Sequence, residues 1–341
     1  MYFLPPEVQL DIFKCLNFEQ LLNIQQTNIY YKNFISECEN KLALKGLFKL
    51  EILVLNDWSL RMYKFFKPDP KLYDFQLSEQ LEKKWINGIE KSVPLFLGCD
   101  DRNLNLGICV VELCYQFKEG FYLQFPIIPK NIEEMKVARY LFEQLFNRGI
   151  DYLKFHQYIF NPQMIELLFD ENKTNIPLQI HSQKANLHIY KYYDNNCPLK
   201  FALNHLTSNQ FTTCFADVVD IERCLNVLFK ILTNGGNKFS RVCYKHRRLS
   251  ELYNLIIKEI ETSEDISKMV KEFLFGDVCG YLMISDRAEN VIINVENLNL
   301  KSTKYQLSNK YNPEMKFSVF IKEIYIVNNH PISDIEIKRI N

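Results

Sequence analysis

The sequence predicts a mixed protein of the α+β or α/β class that begins with three short helices. Helical apolar spacing in the first 45 residues, alternating helix and strand patterns over 131–275, and β-branched runs after residue 275 support this prediction. A length of 341 residues suits two or three structural units. We predict a helical module over 1–45, a connecting region over 46–130, a helix–strand region over 131–275, a β-rich part of the same domain over 276–330, and a tail over 331–341.

The amino-terminal segment has the clearest helical pattern. Pro5 and Pro6 suit the first turn of a helix, and the charge of Glu7 complements the helix dipole there. Asn17 and Gln20 form a capping pattern that starts a second helix. A third helix runs to about residue 45 and carries Ile29, Tyr30, Tyr31, Phe34 and Ile35. Helices this short cannot bury their apolar faces alone, which indicates either the start of a larger domain or a docking module.

The central region alternates between helices and strands. Asn131 and Glu134 form a capping pattern, and Gly149 is expected to stop that helix. Asn161 and Pro162 predict the start of another helix. Strands are predicted at 47–55, 107–117, 121–125 and 150–155, and the stretch 64–74 reads as a surface loop.

A faint internal repeat occurs at an offset of 87 residues. The pattern Leu-Phe-x-x-Leu-x-Asn-x-Gly occurs at 141–149 and again at 228–236, each time before strand-like residues. This unit fits a curved β/α stack similar to a degenerate leucine-rich array. It fits an ordinary α/β domain with two similar helix ends equally well. After Phe275, a meander of strands is predicted at 281–284, 291–295, 302–306 and 317–325.

Composition argues against several functional classes. The 41 basic and 41 acidic residues balance, which argues against a dedicated nucleic-acid binder or a polybasic membrane-surface protein. Only 10 glycines occur, and the sequence holds neither a dinucleotide-binding fingerprint nor a phosphate-binding loop. The 10 scattered cysteines lack any C-x-x-C spacing and read as reduced thiols, so we expect a cytoplasmic or nuclear protein without a secretory signal.

Few residues suggest a catalytic, cofactor-binding or metal site, and we predict none of these. The basic cluster 245–248 reads as a turn before a helix more readily than as an anion site. His181, His188 and His205 show no ligand convergence. The acidic pair 100–101 reads as a loop, and the pair 133–134 as a helix start.

The first 45 residues resemble an F-box. The resemblance rests on Leu-Pro-Pro-Glu-Val at 4–8, Ile-Phe-Lys-Cys-Leu at 12–16, Leu-Leu at 21–22 and the aromatic–basic segment at 30–35. The sequence departs from the family pattern at Gln26–Thr27, where a Val-Cys pair is usual, and at Tyr30 or Tyr31, where a Trp is usual. The remainder resembles the F-box-associated region of lineage-expanded, nematode-type F-box families.

This resemblance implies a non-catalytic substrate receptor of a Skp–cullin–F-box ubiquitin ligase. The F-box would bind a Skp-type adaptor and through it a cullin, and the carboxyl-terminal region would bind a protein substrate, with neither nucleic acid nor membrane as a partner. The adaptor-binding residues that the resemblance implies are Leu4, Pro5, Glu7, Val8, Ile12, Leu16, Leu21 and Leu22. Two alternatives stay open: an F-box scaffold that acts outside ubiquitin ligation, and an α/β enzyme of unknown type.

Overall fold

A thirteen-stranded mixed sheet organises the molecule. The computed structural model describes residues 4–16, 20–21, 24, 27–38, 42, 47–55, 65–66, 68, 76–98, 105–113, 118–156, 158–169, 178–190, 196–216, 218–297, 299–325 and 331–340. The helices in this part of the chain include α1 Pro6–Lys14, α2 Ile29–Glu37, α3 Glu79–Glu90, α4 Ile132–Phe146, α5 Pro162–Leu168, α6 Asn196–His205, α7 Leu225–Asn234 and α8 Ser250–Thr262, with a 3₁₀ helix at Ile221–Cys224.

The strands fall into the large sheet and one small pair. In chain order they are β1 Leu47–Leu55, β2 Phe65–Phe66, β3 Phe96–Gly98, β4 Asn105–Leu113, β5 Lys118–Phe125, β6 Gly149–Phe155, β7 Tyr158–Phe160, β8 Ile180–Ile189, β9 Leu206–Phe215, β10 Phe239–Lys245, β11 Glu272–Cys279, β12 Glu289–Asn297, β13 Leu300–Ser308, β14 Lys316–Ile324 and β15 Ile332–Arg339. The large sheet has the order β12-β13-β14-β15-β11-β10-β9-β8-β6-β1-β4-β5-β2, and β3 pairs with β7.

The middle of the sheet is parallel and advances in one direction. Strands β1, β6, β8, β9, β10 and β11 lie side by side in chain order, and each pairs in parallel with the next. Crossovers between parallel strands are right-handed, so a sheet that advances in one direction places its crossover helices on one face. In agreement, α4 contacts α5, α5 contacts α6, α6 contacts α7, and α7 contacts α8.

Burial alternates along the parallel strands. From Gln210 onwards in β9, Phe211, Thr213 and Phe215 are buried beneath the helices, whereas Gln210, Thr212 and Cys214 on the opposite face are partly exposed. This period of two is expected of a sheet with one covered face. The covered face and the helices form one continuous apolar core that extends from β1 to β15.

Several sequence-based predictions are confirmed. Asn131 caps α4 by accepting a hydrogen bond from the Glu134 amide, and the Glu134 carboxylate accepts one from the Lys130 amide. Asn161 caps α5, with Pro162 as its first residue. The predicted strand at 47–55 is β1, and three of the four strands of the predicted meander, at 291–295, 302–306 and 317–325, are the antiparallel strands β12, β13 and β14.

Other predictions are corrected. The residues predicted as a tail contain β15, whose alternating Ile335 and Ile337 are buried between β11 and β14. The stretch 281–284 forms no strand, although Leu282 and Ile284 pack against the core. The predicted loop at 64–74 contains β2, which pairs with β5, and most of its other residues lie outside the described part of the chain.

The described residues include part of the segment in which three amino-terminal helices were predicted. Helices α1 and α2 correspond to the predicted first and third helices, with α2 ending at Glu37 instead of near residue 45. Of the predicted second helix, Gln20, Leu21 and Ile24 are helical, and Asn17 lies outside the described residues.

Candidate functional site

The amino-terminal helices have a small core of their own. Phe13 of α1 is fully buried and makes edge-on contacts with Tyr31 and Phe34 of α2, with ring centroids 5.7 Å apart in both cases. The other buried members of this cluster are Leu21, Ile35 and Leu42. The main core is a separate cluster. Among the described residues, the amino-terminal helices therefore form a hydrophobic cluster of their own.

A buried glutamine ties the start of the chain to α2. Gln9 is 1% exposed, and its side-chain amide donates to the Leu4 carbonyl at 2.7 Å. The Tyr30 hydroxyl donates to the Gln9 side-chain oxygen at 3.1 Å. Both polar ends of the side chain are thus satisfied, as burial requires. Sequence reasoning missed Gln9, because a polar residue inside an amphipathic helix usually faces water.

The implied adaptor-binding residues divide into exposed and packed groups. Leu4 and Val8 keep 38% and 43% of their surface exposed, and Pro5 and Glu7 are exposed as well. Large exposed apolar side chains are a feature of protein-binding surfaces when they lie together. Leu4 lies two residues before the first residue of α1, and Val8 is in its first turn. We name the four residues 4, 5, 7 and 8 the α1 surface.

The other implied residues contribute to packing. Ile12 and Leu16 are half-buried against the small core, and Leu21 is a buried member of it. Leu22 lies outside the described residues. The structure therefore brings four of the eight residues to one exposed end of α1 and places three others in or against the core beneath them.

The second surface is the face of the parallel sheet that the helices leave uncovered. We name it the open face. Along each strand, the residues of the open face alternate with buried residues of the covered face, which include Leu50, Leu153, Ala185, Phe211 and Val242. The side chains on this face are Lys49, Glu51, Tyr152, Lys154, His156, Lys184, Asn186, His188, Gln210, Thr212, Cys214, Arg241, Cys243 and Lys245. On β1, β6, β8, β9 and β10 these side chains include five positive charges and one negative charge, and β11 adds Glu272, whose carboxylate lies 3.1 Å from the Arg241 guanidinium.

The Glu51 carboxylate of β1 lies on the open face and bridges two strands. Lys49 and Lys154 contact its two oxygens at 2.5 Å and 3.2 Å. Burial disfavours the charged form of Glu51, but the hydrogen bonds and charges of the two lysines outweigh burial and keep its pKa below the ordinary value. Glu51 therefore stays ionised.

Two histidines lie side by side on the open face. The rings of His156 and His188 stack, and the Tyr190 hydroxyl lies 2.9 Å from Nδ1 of His156. Burial and the Lys154 charge lower the pKa of His156, and burial with the nearby His156 and Lys154 lowers that of His188. No pattern in the sequence indicates this histidine pair, because the pair depends on the parallel register of β6 and β8.

The remaining candidates have structural explanations in the described residues. Lys245 ends β10, and Nδ1 of the buried His246 accepts a hydrogen bond from the Arg248 amide in the turn before α8. His205 is buried, with Nδ1 against the Leu178 carbonyl. Within the described ranges, no three His, Cys, Asp or Glu side chains are arranged to hold a metal ion. The acidic pair 100–101 lies outside those ranges.

Comparisons with known proteins give little functional information. Residues 66–216 match the family model described as Domain of unknown function (DUF8381), which covers less than half of the chain. No curated protein matches the sequence. One solved structure, an S-adenosylmethionine-dependent methyltransferase from Clostridium acetobutylicum ATCC 824, is similar over 46% of this chain and 67% of its own, at 9% identity and a TM-score of 0.13. A TM-score this low supports no argument about fold or activity. Of the described helices, none has the length and apolar character that a membrane span needs.

Proposed function

We propose that this chain is a substrate receptor of a Skp–cullin–F-box ubiquitin ligase. The observation that supports this proposal best is the separate amino-terminal core beneath the α1 surface. A unit that packs on its own and leaves Leu4, Pro5, Glu7 and Val8 exposed has the form of a docking module. In this role it would bind a Skp-type adaptor.

The open face is our candidate for the substrate-binding surface. The parallel strands advance in chain order with their helices on one face, which is the arrangement of a β/α solenoid such as a leucine-rich array. Solenoids commonly bind partners on an extended exposed surface. The exposed Lys184 and Lys245 on this face favour an acidic substrate segment, because opposite charges steer and align association.

The receptor would accelerate ubiquitin transfer by proximity. A lysine of the bound substrate would be held near the ubiquitin thioester that the rest of the ligase carries. No catalytic residue of this chain takes part in such a mechanism, and no cofactor is required.

The first experiment is co-expression of the full chain with a Skp-type adaptor, followed by affinity capture. We expect the wild-type chain to retain the adaptor and the Leu4→Ala/Pro5→Ala variant to lose it. Val8→Lys should also lose it, whereas Ile86→Lys on α3 should not, because Ile86 is 42% exposed but lies outside the α1 surface. Failure of the wild-type chain to bind the adaptor would refute the proposal.

A second capture separates a ligase receptor from a scaffold. The adaptor-bound chain should also recover a cullin, and adaptor binding without a cullin would favour the F-box scaffold. To test the open face, we would compare Lys184→Glu/Lys245→Glu with Lys230→Glu/Lys258→Glu, which makes the same charge change on helices α7 and α8. Only the open-face variant, Lys184→Glu/Lys245→Glu, should lose co-purifying proteins while it retains the adaptor.

A further inference from the structure

Strand β12 ends the large sheet with an exposed apolar edge. Among the described residues β12 pairs with β13 and with no other strand. Its side chains Val291, Ile292, Ile293 and Val295 are 44%, 54%, 52% and 69% exposed. Four large apolar side chains in five residues are therefore in contact with water, on a strand whose outer backbone groups lack a sheet partner in that part of the chain.

Such an edge is unusual in a chain that stays monomeric. Natural proteins protect edge strands with lysine, proline, or a covering loop or helix, because an uncovered edge pairs with other strands. The β12 sequence Glu-Asn-Val-Ile-Ile-Asn-Val-Glu-Asn contains neither lysine nor proline. Its ladder with β13 is continuous from Ile292 to Val295, and the irregularities lie towards its two ends. The central part of the strand is therefore regular enough to accept a partner.

We propose that two copies of this chain associate through antiparallel pairing of β12 with β12. The strand is nearly self-complementary about Ile293. With Ile293 opposite its own equivalent, Val291 faces Val295, and Glu289 and Asn290, beyond the irregularity at that end of the strand, lie near Asn297 and Glu296. Each carboxylate then lies near an amide. The one-residue shift that places Glu289 opposite Glu296 is disfavoured, because like charges directly opposite each other destabilise a sheet. Registers shifted by two residues bring no two carboxylates together, so disulfide trapping must distinguish them from the register centred on Ile293.

This register also groups the apolar side chains. Ile293 pairs with the buried Thr303 of β13, so Ile293 and Val295 point to the helix-covered side of the sheet. In the dimer, the two Ile293 side chains would meet at the symmetry axis and the Val291–Val295 pairs would flank them. Opposite residues of an antiparallel pair share a face, so the helices of both copies lie on one side. The open faces of the two copies then form one continuous surface, whatever partner binds there.

Disulfide trapping tests the register. Residues opposite each other in an antiparallel pair have Cα atoms about 4.5–5.5 Å apart, which is within the range that a disulfide can span. Mild oxidation of the full-length Ile293→Cys variant should therefore give a covalent dimer. Val291→Cys should crosslink when mixed with Val295→Cys and not when alone. Self-crosslinking of Val291→Cys as strong as that of Ile293→Cys would overturn the proposed register.

Mass measurement tests the dimer itself. By light scattering and sedimentation, the wild-type chain should be a dimer, and Ile293→Lys should weaken its dissociation constant at least tenfold because two lysines would meet at the axis. The control Val218→Lys changes a side chain that is 64% exposed outside β12 and should leave the dimer intact. The matching oxidation controls are the wild-type chain and Val218→Cys, which should not crosslink. A wild-type monomer, or a dimer that Ile293→Lys does not weaken, would overturn the proposal.

Discussion

The imidazole rings of His156 and His188 stack on the open face with their centroids 4.4 Å apart. Lys154 lies close enough to both rings to disfavour a further positive charge. Burial and these charges lower the pKa of each histidine below its ordinary value. Folding therefore favours the neutral form of each ring, and two neutral rings can stack without repulsion.

This pair should make stability depend on pH. A histidine with a lowered folded-state pKa binds more protons when unfolded, so its contribution is complete above the unfolded value of about 6.5 and is lost as the pH falls below it. We expect the free energy of unfolding in urea to fall between about pH 7.5 and 5.5. His188→Gln should reduce this fall, while Ser240→Ala, an exposed non-titrating position on β10, should not. Equal pH dependence in all three proteins would contradict this explanation.

A buried pair of tyrosines connects α8 to the carboxyl-terminal strands. The hydroxyls of Tyr253 and Tyr305 are 2.7 Å apart, and the Tyr253 hydroxyl also donates to the Met283 carbonyl at 3.3 Å. Tyr305→Phe leaves Tyr253 with Met283 as a partner, so we expect a loss of about 1 kcal/mol. Tyr253→Phe removes the hydrogen-bond partner of a buried Tyr305 hydroxyl, so the loss should be about 1–3 kcal/mol.

Urea unfolding of both single variants and the double variant tests the tyrosine pair. The double variant should be less destabilised than the sum of the two single variants, since each single change already removes the shared hydrogen bond. If both single variants lost the same free energy of unfolding, the Met283 carbonyl would not compensate Tyr253 for the loss of the Tyr305 hydroxyl.

The small amino-terminal core should unfold independently of the main sheet. Phe13 is fully buried at its centre, and truncation of a buried Phe to Ala costs about 3–5 kcal/mol. For Phe13→Ala we expect faster amide hydrogen exchange across α1 and α2, with exchange in β8–β10 unchanged. Phe142→Ala is a truncation of equal size in the main core. It should speed exchange in β8–β10 and leave exchange across α1 and α2 unchanged. Faster exchange in both regions of the Phe13→Ala variant would show that the two cores unfold together.

The fold could be predicted from sequence where the signal was local. The Asn131 and Asn161 caps and the alternation in β1 and β14 depend on neighbouring residues, so pattern and spacing suffice. β15 was missed although Ile335 and Ile337 alternate with charged residues as they would in a half-buried strand. Only its place between β11 and β14 depends on long-range pairing. The order of the parallel strands likewise became clear only from their pairing.

The candidate surfaces were predictable to a lesser degree. The exposed start of α1 follows from its prolines and its helical spacing. Gln9 could not be predicted, because its burial depends on the Tyr30 hydroxyl from another helix. The grouping of His156 with His188 requires the register of β6 against β8. Residues that are distant in sequence meet only when the strands align, and spacing alone carries no information about that alignment.

The two glycines of the internal repeat have different structural roles. Gly236 lies against the next turn, where an added Cβ would be 2.6 Å from the Met269 carbonyl oxygen and 2.7 Å from that of Lys268. Gly149 was predicted to stop α4 as a left-handed cap. Instead it begins β6, its φ is not positive, and no atom lies within 4 Å of an added Cβ. Only the second repeat therefore requires glycine at this position.

Replacement of Gly236 by alanine should therefore lower stability, and replacement of Gly149 by alanine should raise it. Gly236→Ala forces backbone carbonyls apart and should cost about 1–3 kcal/mol, the range for overpacking. Gly149→Ala meets no neighbour and restricts the unfolded chain, so it should raise stability by about 0.4–1 kcal/mol. Urea denaturation of the two variants beside the wild-type chain measures both effects. If Gly149→Ala lowers the free energy of unfolding, residue 149 has a constraint that its open surroundings do not reveal. If Gly236→Ala leaves the free energy of unfolding unchanged, the turn at 266–269 can move to make room for the added Cβ.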